Sequence, residues 1–232
     1  MYFISEVSSN HASSLERCIK FIEVSKSIGC DAVKFQLFKL DQLFSKEAIK
    51  ANPDFEERRS WELPLSFLPS LQEACYENEI DFSCTPFYLE AVEELESYVS
   101  FYKIASYELL WNDLLERVAS TGKKVILSTG MANLEEIDRA VEHLHKHNVS
   151  ELELLHCISG YPTPIKECNL SAIDTMRKRY GVKVGFSDHS VNPIVVSRAV
   201  NEWNASSIEF HLDLEGKGEE FKTGHCWLPH EI

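Results

Sequence analysis

Basic residues are scarce in this chain. Its 232 residues include 23 Lys and Arg against 37 Asp and Glu, a formal charge of −14. General binding to DNA or RNA rests on neutralising phosphates with Lys and Arg, so this balance argues against it. It argues equally against docking on an anionic membrane. No apolar run approaches the roughly 20 residues that cross a bilayer. Met1 to Asn10 lacks the basic start and long apolar stretch of a signal peptide and carries Glu6. No C-x-x-C pair occurs, and the seven cysteines (Cys18, Cys30, Cys75, Cys84, Cys157, Cys168 and Cys226) are odd in number and scattered. They read as reduced thiols of a cytoplasmic protein, not as a disulfide framework or a structural zinc site. Low-complexity tracts, linkers rich in Pro, Gly or Ser, and a Gly-x-Gly-x-x-Gly turn are also missing.

What is present is a uniform alternation. Hydrophobic residues make up 44% and charged residues 26%, enough for a full-sized core. Short β-branched or aromatic runs predict strands at Phe3–Val7, Ala32–Leu37, Asp81–Cys84, Phe101–Ala105, Lys124–Leu127, Glu151–His156, Val182–Phe186 and Ser207–Leu212. Helical spacing fills the intervals at Leu15–Ile28, Leu65–Glu77, Leu89–Leu95, Leu114–Ala119, Leu134–His147, Leu170–Tyr180 and Pro193–Trp203. Gly29, Gly122 and Gly181 each stand where a helix should stop, and Asn133 where one should be capped. Eight strands alternating with helices predict a (β/α)8 barrel, the open doubly wound sheet being the alternative. Residues 1–232 then form one barrel domain. Two places are irregular. The polar stretch Ser45 to Glu62, with Trp61 inside it, leaves a strand end and reads as a lid. The eighth helix is expected to be truncated or missing, so that either the chain is shortened or a neighbour covers the apolar face it would leave.

In such a barrel the site is built at the strand C-termini. There the chain carries Glu6, Asn10 and His11; Lys34 and Gln36, two apart and so on one face; Thr85; Lys103, Ser106 and Glu108; Ser128; His156, Ser159 and Tyr161; Ser187, Asp188 and His189; and Glu209, His211 and Asp213. A lone strand lysine often snorkels to the surface. Two lysines with several strand-end hydroxyls instead suit a small, doubly anionic ligand, since buried ammonium groups need anionic partners. His189 and His211 end adjacent strands and could share one divalent metal; structural hydrogen bonding is the competing reading. Cys157 and Cys226 are nearby candidates for soft ligands. His143, His145 and His147 lie on a polar helix end and read as solvated.

These strand-end strings resemble the sialic acid synthase family, which condenses phosphoenolpyruvate with N-acetylmannosamine or related sugars. The resemblance rests on Ser5-Glu6-Val7 with Asn10-His11, Ala32-Val33-Lys34-Phe35-Gln36, Thr85-Pro86-Phe87, Lys103-Ile104-Ala105-Ser106 with Glu108, Leu127-Ser128-Thr129-Gly130-Met131, Leu155-His156-Cys157 with Tyr161-Pro162-Thr163-Pro164, Gly185-Phe186-Ser187-Asp188-His189, and Glu209-Phe210-His211. They follow the family's order along nearly the whole chain.

The resemblance implies a barrel enzyme that makes a nonulosonic acid and phosphate by C–O cleavage, using Mn²⁺ or Mg²⁺. His189 and His211 match its metal ligands. Lys34, Thr85, Lys103, Ser106, Ser128 and Ser187 match residues that hold phosphoenolpyruvate. Glu6, Gln36 and Tyr161 match residues that face the sugar, and Ser159 stands at a position that is often Asn. Glu108 matches an acid near the reacting carbon and, with Glu6, is a candidate catalytic carboxylate. Expected partners are phosphoenolpyruvate and a modified aldose, with neither nucleic acid nor membrane, and a homodimer is compatible. The departures are Cys84, Tyr88, Tyr107, Ser159 and the Gly216–Pro229 stretch, where the family's sugar-binding Asp is missing and Glu219, Glu220 or His225 could replace it. All are expected on the sugar side. The C-terminal antifreeze-like domain of many members has no counterpart in these residues. A metal-dependent barrel hydrolase or isomerase, and a barrel that binds ligand without catalysis, are the alternative functions.

Overall fold

A computed structural model describes residues 1–232. Eight parallel strands close on themselves: β1 Tyr2–Glu6, β2 Ala32–Leu37, β3 Asp81–Pro86, β4 Phe101–Ile104, β5 Val125–Ser128, β6 Leu152–His156, β7 Lys183–Asp188 and β8 Ser207–Leu212. Each pairs with the next, and β1 pairs with β8 from Tyr2 opposite Ser207 to Glu6 opposite His211. This is the predicted (β/α)8 barrel, with β2 and β8 bounded as the apolar runs predicted.

The helices, in chain order, are α1 Leu15–Ser27, α2 Leu40–Leu43, α3 Lys46–Ala51, α4 Leu68–Glu77, α5 Ala91–Glu96, α6 Asn112–Ser120, α7 Leu134–Lys146, α8 Ala172–Tyr180, α9 Pro193–Asn201 and α10 Glu219–Thr223. Local chemistry sets their ends. Asn133 and Glu136 form a reciprocal capping box at the start of α7, with bonds of 3.0 and 2.9 Å. Gly181 ends α8 in the left-handed region at φ 66°, where a side chain would be strained. No helix is long and apolar enough to cross a membrane.

The period-two alternation of the strands separates two apolar regions. Residues such as Val33, Phe35, Phe82, Tyr102 and Leu127 belong to the main core cluster that joins the strands to the helices. Ile4, Ala32, Phe101, Ile126 and Leu155 form a separate small cluster, the apolar layer inside the barrel. Gly185 belongs with that layer because a Cβ there would meet the Ser207 carbonyl at 2.6 Å and a Leu155 methyl at 2.7 Å. Below it, Glu153 accepts from Lys124 Nζ at 2.8 Å and from the Ser206 and Ser207 hydroxyls at 2.6 Å each. Two residues above Ile4, Ala32, Phe101, Ile126 and Leu155 come Glu6, Lys34, Lys103, Ser128 and Cys157, all on one cavity.

The two irregular places are ordered in ways that periodicity does not reveal. Ser45 to Glu62 forms α3 and a 3₁₀ segment, Pro53–Trp61, which has no buried residue. Beyond β8 there is no long helix. The chain makes α10, then a two-residue strand β9, Cys226–Trp227, in parallel register with His211 and Leu212. Trp227 is 5% exposed; its indole N–H donates to Asp188 Oδ2 at 2.9 Å, and it packs in the main core. Beside it an apolar groove runs over the outer face of β1 and β8, lined by Phe3, Val196, Val200 and Phe210.

Candidate active site

The cavity at the strand C-termini measures about 660 Å³. Glu6, Lys34, Gln36, Thr85, Lys103, Ser106, Glu108, Ser128, Tyr161, Ser187, His189 and His211 all line it, whereas Ser159 does not. The Ser159 hydroxyl is buried without a hydrogen-bond partner beside Gly130, where a Cβ would come within 2.5 Å of it. A side chain at 130 would also strike the Ser106 hydroxyl at 2.8 Å. Gly130 instead brings its backbone N–H to Ser106 Oγ at 3.0 Å, which orients that hydroxyl.

The lysines converge on carboxylates supplied by the barrel. Lys34 is paired with Glu6 and lies 3.9 Å from Glu209, which Lys103 approaches at 3.3 Å. Lys34 also donates to Thr85 at 3.2 Å, and Ser187 donates to Glu209 at 3.0 Å. Both ammonium groups are almost fully buried. Burial pushes the Lys34 pKa down to about 8, with Glu209 opposing and Lys103 adding to the fall. Burial works to raise the Glu209 carboxyl, but Lys103 and Lys34 hold it below the ordinary range. Glu209 Oε2 accepts no hydrogen bond, and neither does Glu108 Oε2. Burial lifts the Glu108 pKa to about 7, against the pull of Lys103, so near neutral pH this carboxyl can either take or give a proton.

The histidines stand at the other edge of the same cavity. His189 and His211 have ring centroids 5.5 Å apart. His189 Nδ1 lies 2.8 Å from the Ile158 carbonyl, so it donates there and leaves Nε2 with its lone pair. Burial, reinforced by His211, lowers the His189 pKa to about 3, keeping the ring neutral, which is the ligand form. Two imidazoles on neighbouring strand ends, one with its second nitrogen bonded to a carbonyl, fit a divalent metal.

The loops contribute what strand periodicity could not show. Phe44 and Phe55 stack at 4.4 Å, and the Arg58 guanidinium sits 5.3–5.4 Å from the rings of Phe44, Phe55 and Trp61. All four line the cavity, with Phe38 and Phe87. The Phe-x-x-Arg-x-x-Trp spacing from 55 to 61 is the one signal in the sequence that this polar stretch presents a face. Glu220 and His225, candidates for the missing sugar-side acid, do reach the cavity; Glu219 does not. The other departures scatter. Cys84 is buried in the main core, and Tyr88 is buried there with its phenol on Glu94. Tyr107 alone of the two tyrosines lines the cavity. The expectation that all the departures gather on the sugar side is therefore corrected. Cys84 alternates away from the barrel interior, and the chain turns outward after β3.

A closed parallel barrel whose strand C-termini frame a hydroxyl-lined cavity with two buried lysines and buried carboxylates, edged by histidines, defines a barrel protein with a polar, ionisable site at that end. The chain belongs to the NeuB family, whose family model matches residues 21–232. It is 37% identical over 217 residues to an uncharacterized protein of Methanocaldococcus jannaschii, covering 92% of this chain and 62% of that protein. It is 35% identical over 225 residues to the N,N'-diacetyllegionaminic acid synthase of Campylobacter jejuni, covering 91% and 67%. The crystal structure of an N-acetylneuraminic acid synthetase from Leptospira borgpetersenii, solved with citrate, superposes with a TM-score of 0.92 at 30% identity, over 99% of this chain and 79% of that one. The chain thus spans about two thirds of the length of the curated relatives it matches.

Proposed function

We propose that this chain condenses phosphoenolpyruvate with an N-acyl or otherwise modified aldose, giving a nonulosonic acid and phosphate. The observation that carries the reading is one cavity holding two buried lysines, three serine hydroxyls and a carboxyl of raised pKa, with a neutral histidine at its edge. Lys34, Lys103, Thr85, Ser106, Ser128 and Ser187 hold the phosphate and carboxylate of phosphoenolpyruvate and fix its orientation. Glu6, Gln36 and Tyr161 face the acceptor. His189 and His211 would hold Mn²⁺ or Mg²⁺, which when bound supplies Lewis-acid polarisation of the open-chain aldehyde.

The C2–C3 π pair of phosphoenolpyruvate forms a bond from C3 to the aldehyde carbon, whose carbonyl pair moves to oxygen and takes a proton from solvent to become a hydroxyl. Water adds to C2, and Glu108 takes the proton that this water loses. The C2–O bond to phosphate then breaks, phosphate departs with the bonding pair, and the hydroxyl left on C2 loses its proton to solvent as C2 becomes a ketone. The family membership and the named relatives support this chemistry; the choice of acceptor is this chain's own. Residues 1–232 act as one synthase barrel in this reading, in the cytoplasm where phosphoenolpyruvate is met.

The test is phosphate release from phosphoenolpyruvate by the purified chain, with a panel of N-acyl aldoses, before and after chelation. Sugar-dependent release that a chelator abolishes is the expected result. A protein that leaves phosphoenolpyruvate untouched with every sugar, yet turns over a sugar ester or isomerises a sugar, would be a hydrolase or isomerase instead.

A further inference from the structure

The segment after β8 brings two side chains to His211 that no barrel strand supplies. Donor atoms of His211, Glu220, His225 and Cys226 all lie within 4.8 Å of one another. Glu220 Oε2 is 2.8 Å from His211 Nδ1 and 3.5 Å from His225 Nε2. The His211 and His225 rings have centroids 4.8 Å apart and planes at 76°, so an edge of one faces the other. Tyr161 packs against His189, His211 and His225, with centroids at 4.2, 6.1 and 5.0 Å.

The surroundings aim these groups inward. The β9 register sets Cys226 beside His211, which places residue 225 at the same strand end. His225 Nδ1 is engaged by Thr223 Oγ1 at 2.7 Å, which leaves Nε2 toward Glu220. Ser9 donates to Glu220 Oε1 at 3.0 Å, which leaves Oε2 toward the imidazoles. Outer contacts of this kind orient metal ligands in their working direction. A structural ion pair would need only one histidine beside the carboxylate; here two meet it.

We infer that Glu220 and His225 join His211 as protein ligands of the divalent ion proposed for this edge of the cavity, and that this nitrogen-rich set selects a transition metal over Mg²⁺. The inference rests on the reading of His189 and His211 as a metal pair. Mg²⁺ keeps oxygen ligands and several waters, whereas imidazole suits the later first-row ions, so affinity should climb from Mn²⁺ toward Co²⁺ and Zn²⁺.

The experiment uses metal-free full chain titrated with Mn²⁺, with free Mn²⁺ followed by electron paramagnetic resonance. The wild type should bind a single equivalent, lose it readily to Zn²⁺, and give it up to Mg²⁺ only at a large excess. Glu220→Gln and His225→Ala should each weaken Mn²⁺ binding by at least the roughly 10–100-fold that outer-shell changes alone cost. Binding within about twofold of wild type in both variants, with His189→Ala and His211→Ala losing it, would overturn this inference and leave the two-histidine reading standing. A wild type that binds no Mn²⁺ or Zn²⁺ would remove both. Equal competition by Mg²⁺ would remove the selectivity. Absorption of the Co²⁺-loaded wild type tests the ligand set without any variant. Visible bands of a four- or five-coordinate ion with an open or water-filled position are expected, and weak bands of a six-coordinate, water-rich ion would count against Glu220 and His225 as ligands.

Discussion

At the N-terminal end of the barrel, Glu153 is 2% exposed, yet each of its oxygens is bonded, to Lys124, Ser206 and Ser207. Burial works to raise this carboxyl, and these partners bring it below the ordinary range. At the C-terminal end, Glu209 and Glu108 are similarly buried, and each keeps an oxygen with no hydrogen bond. Two lysines share Glu209 there, and one of them has its own pKa depressed by burial. The apolar layer of Ile4, Ala32, Phe101, Ile126 and Leu155 lies between the two clusters. A satisfied buried charge serves the fold. An unsatisfied one costs stability, and a ligand that completes it recovers that cost. The difference marks which end of the barrel works.

Four measurements would break or sharpen this contrast. The largest effect should come from Glu108→Gln, which removes the proton acceptor and should lower the condensation rate by about 10²–10⁴-fold. In the wild type the rate should rise with pH through about 7 as Glu108 ionises, and the variant should lose that limb. Stability runs the other way. A carboxyl whose folded pKa stands above its unfolded value near 4.5 favours the fold below that value and loses this contribution as pH rises through about 7. The displacement corresponds to about 3 kcal/mol at alkaline pH, so Glu108→Gln should unfold at higher denaturant than the wild type at pH 8 and at the same denaturant near pH 4. A variant no more stable at pH 8 would mean that burial does not raise the Glu108 pKa.

Lys124→Met addresses the other end. It leaves the buried Glu153 carboxylate without its cation, and because Lys124 is itself partly exposed and Ser206 and Ser207 still donate, the loss should be about 1.5–3 kcal/mol. The loss should appear in denaturant melts, with activity per folded molecule unchanged. A drop in kcat at full folding would show that the two ends are coupled.

Lys34→Met and Lys103→Met should act mainly on phosphoenolpyruvate. Loss of a charged hydrogen bond to a dianion is worth about 1.5–3 kcal/mol, or roughly 10–100-fold in affinity. Lys34→Met also strands Glu6, so its stability should fall more than that of Lys103→Met. Unchanged phosphoenolpyruvate affinity in both would remove the anion site.

The smallest effect concerns acceptor choice. Tyr107, one of the departures from the sialic acid synthase pattern, lines the cavity, where its hydroxyl can face an acceptor. A site that hydrogen-bonds one group discriminates against an analogue lacking it. N-acetylmannosamine should therefore be a poorer acceptor than some other modified aldose, by about tenfold or 1.4 kcal/mol. The highest kcat/KM for N-acetylmannosamine in a broad panel would make this difference neutral.

The barrel was legible because its signal is periodic. Lys34 with Gln36, and Glu209 with His211, stand two apart on strands whose bounds the apolar runs define, so their common face follows from strand geometry. Ser159 and Tyr88 were harder to place because they lie beyond the ends of their strands, where a turn decides direction and alternation no longer applies. Phe44, Phe55, Arg58 and Trp61 come together only by tertiary folding of a polar stretch. The pairing of β9 with β8 brings Glu220 and His225 home, and a two-residue strand leaves no pattern to read.

The aromatic strap has a practical consequence. Residues 46–61 bury only Ile49, so little holds this segment beyond its aromatic stacking, the Arg59 pairs with Asp41 and Glu56, and the Ser13 hydroxyl donating to the Ser60 carbonyl at 2.6 Å. Such segments open at low free energy while the strands stay closed. Lys46, Lys50 and Arg59 are therefore exposed cutting points for trypsin, with the half-buried Arg58 beside them. Because Arg58 packs on the same rings that wall the cavity, an acceptor settling against them should slow the nick. Protection from a protease then becomes a gauge of sugar binding that needs no turnover, no coloured substrate and no second enzyme.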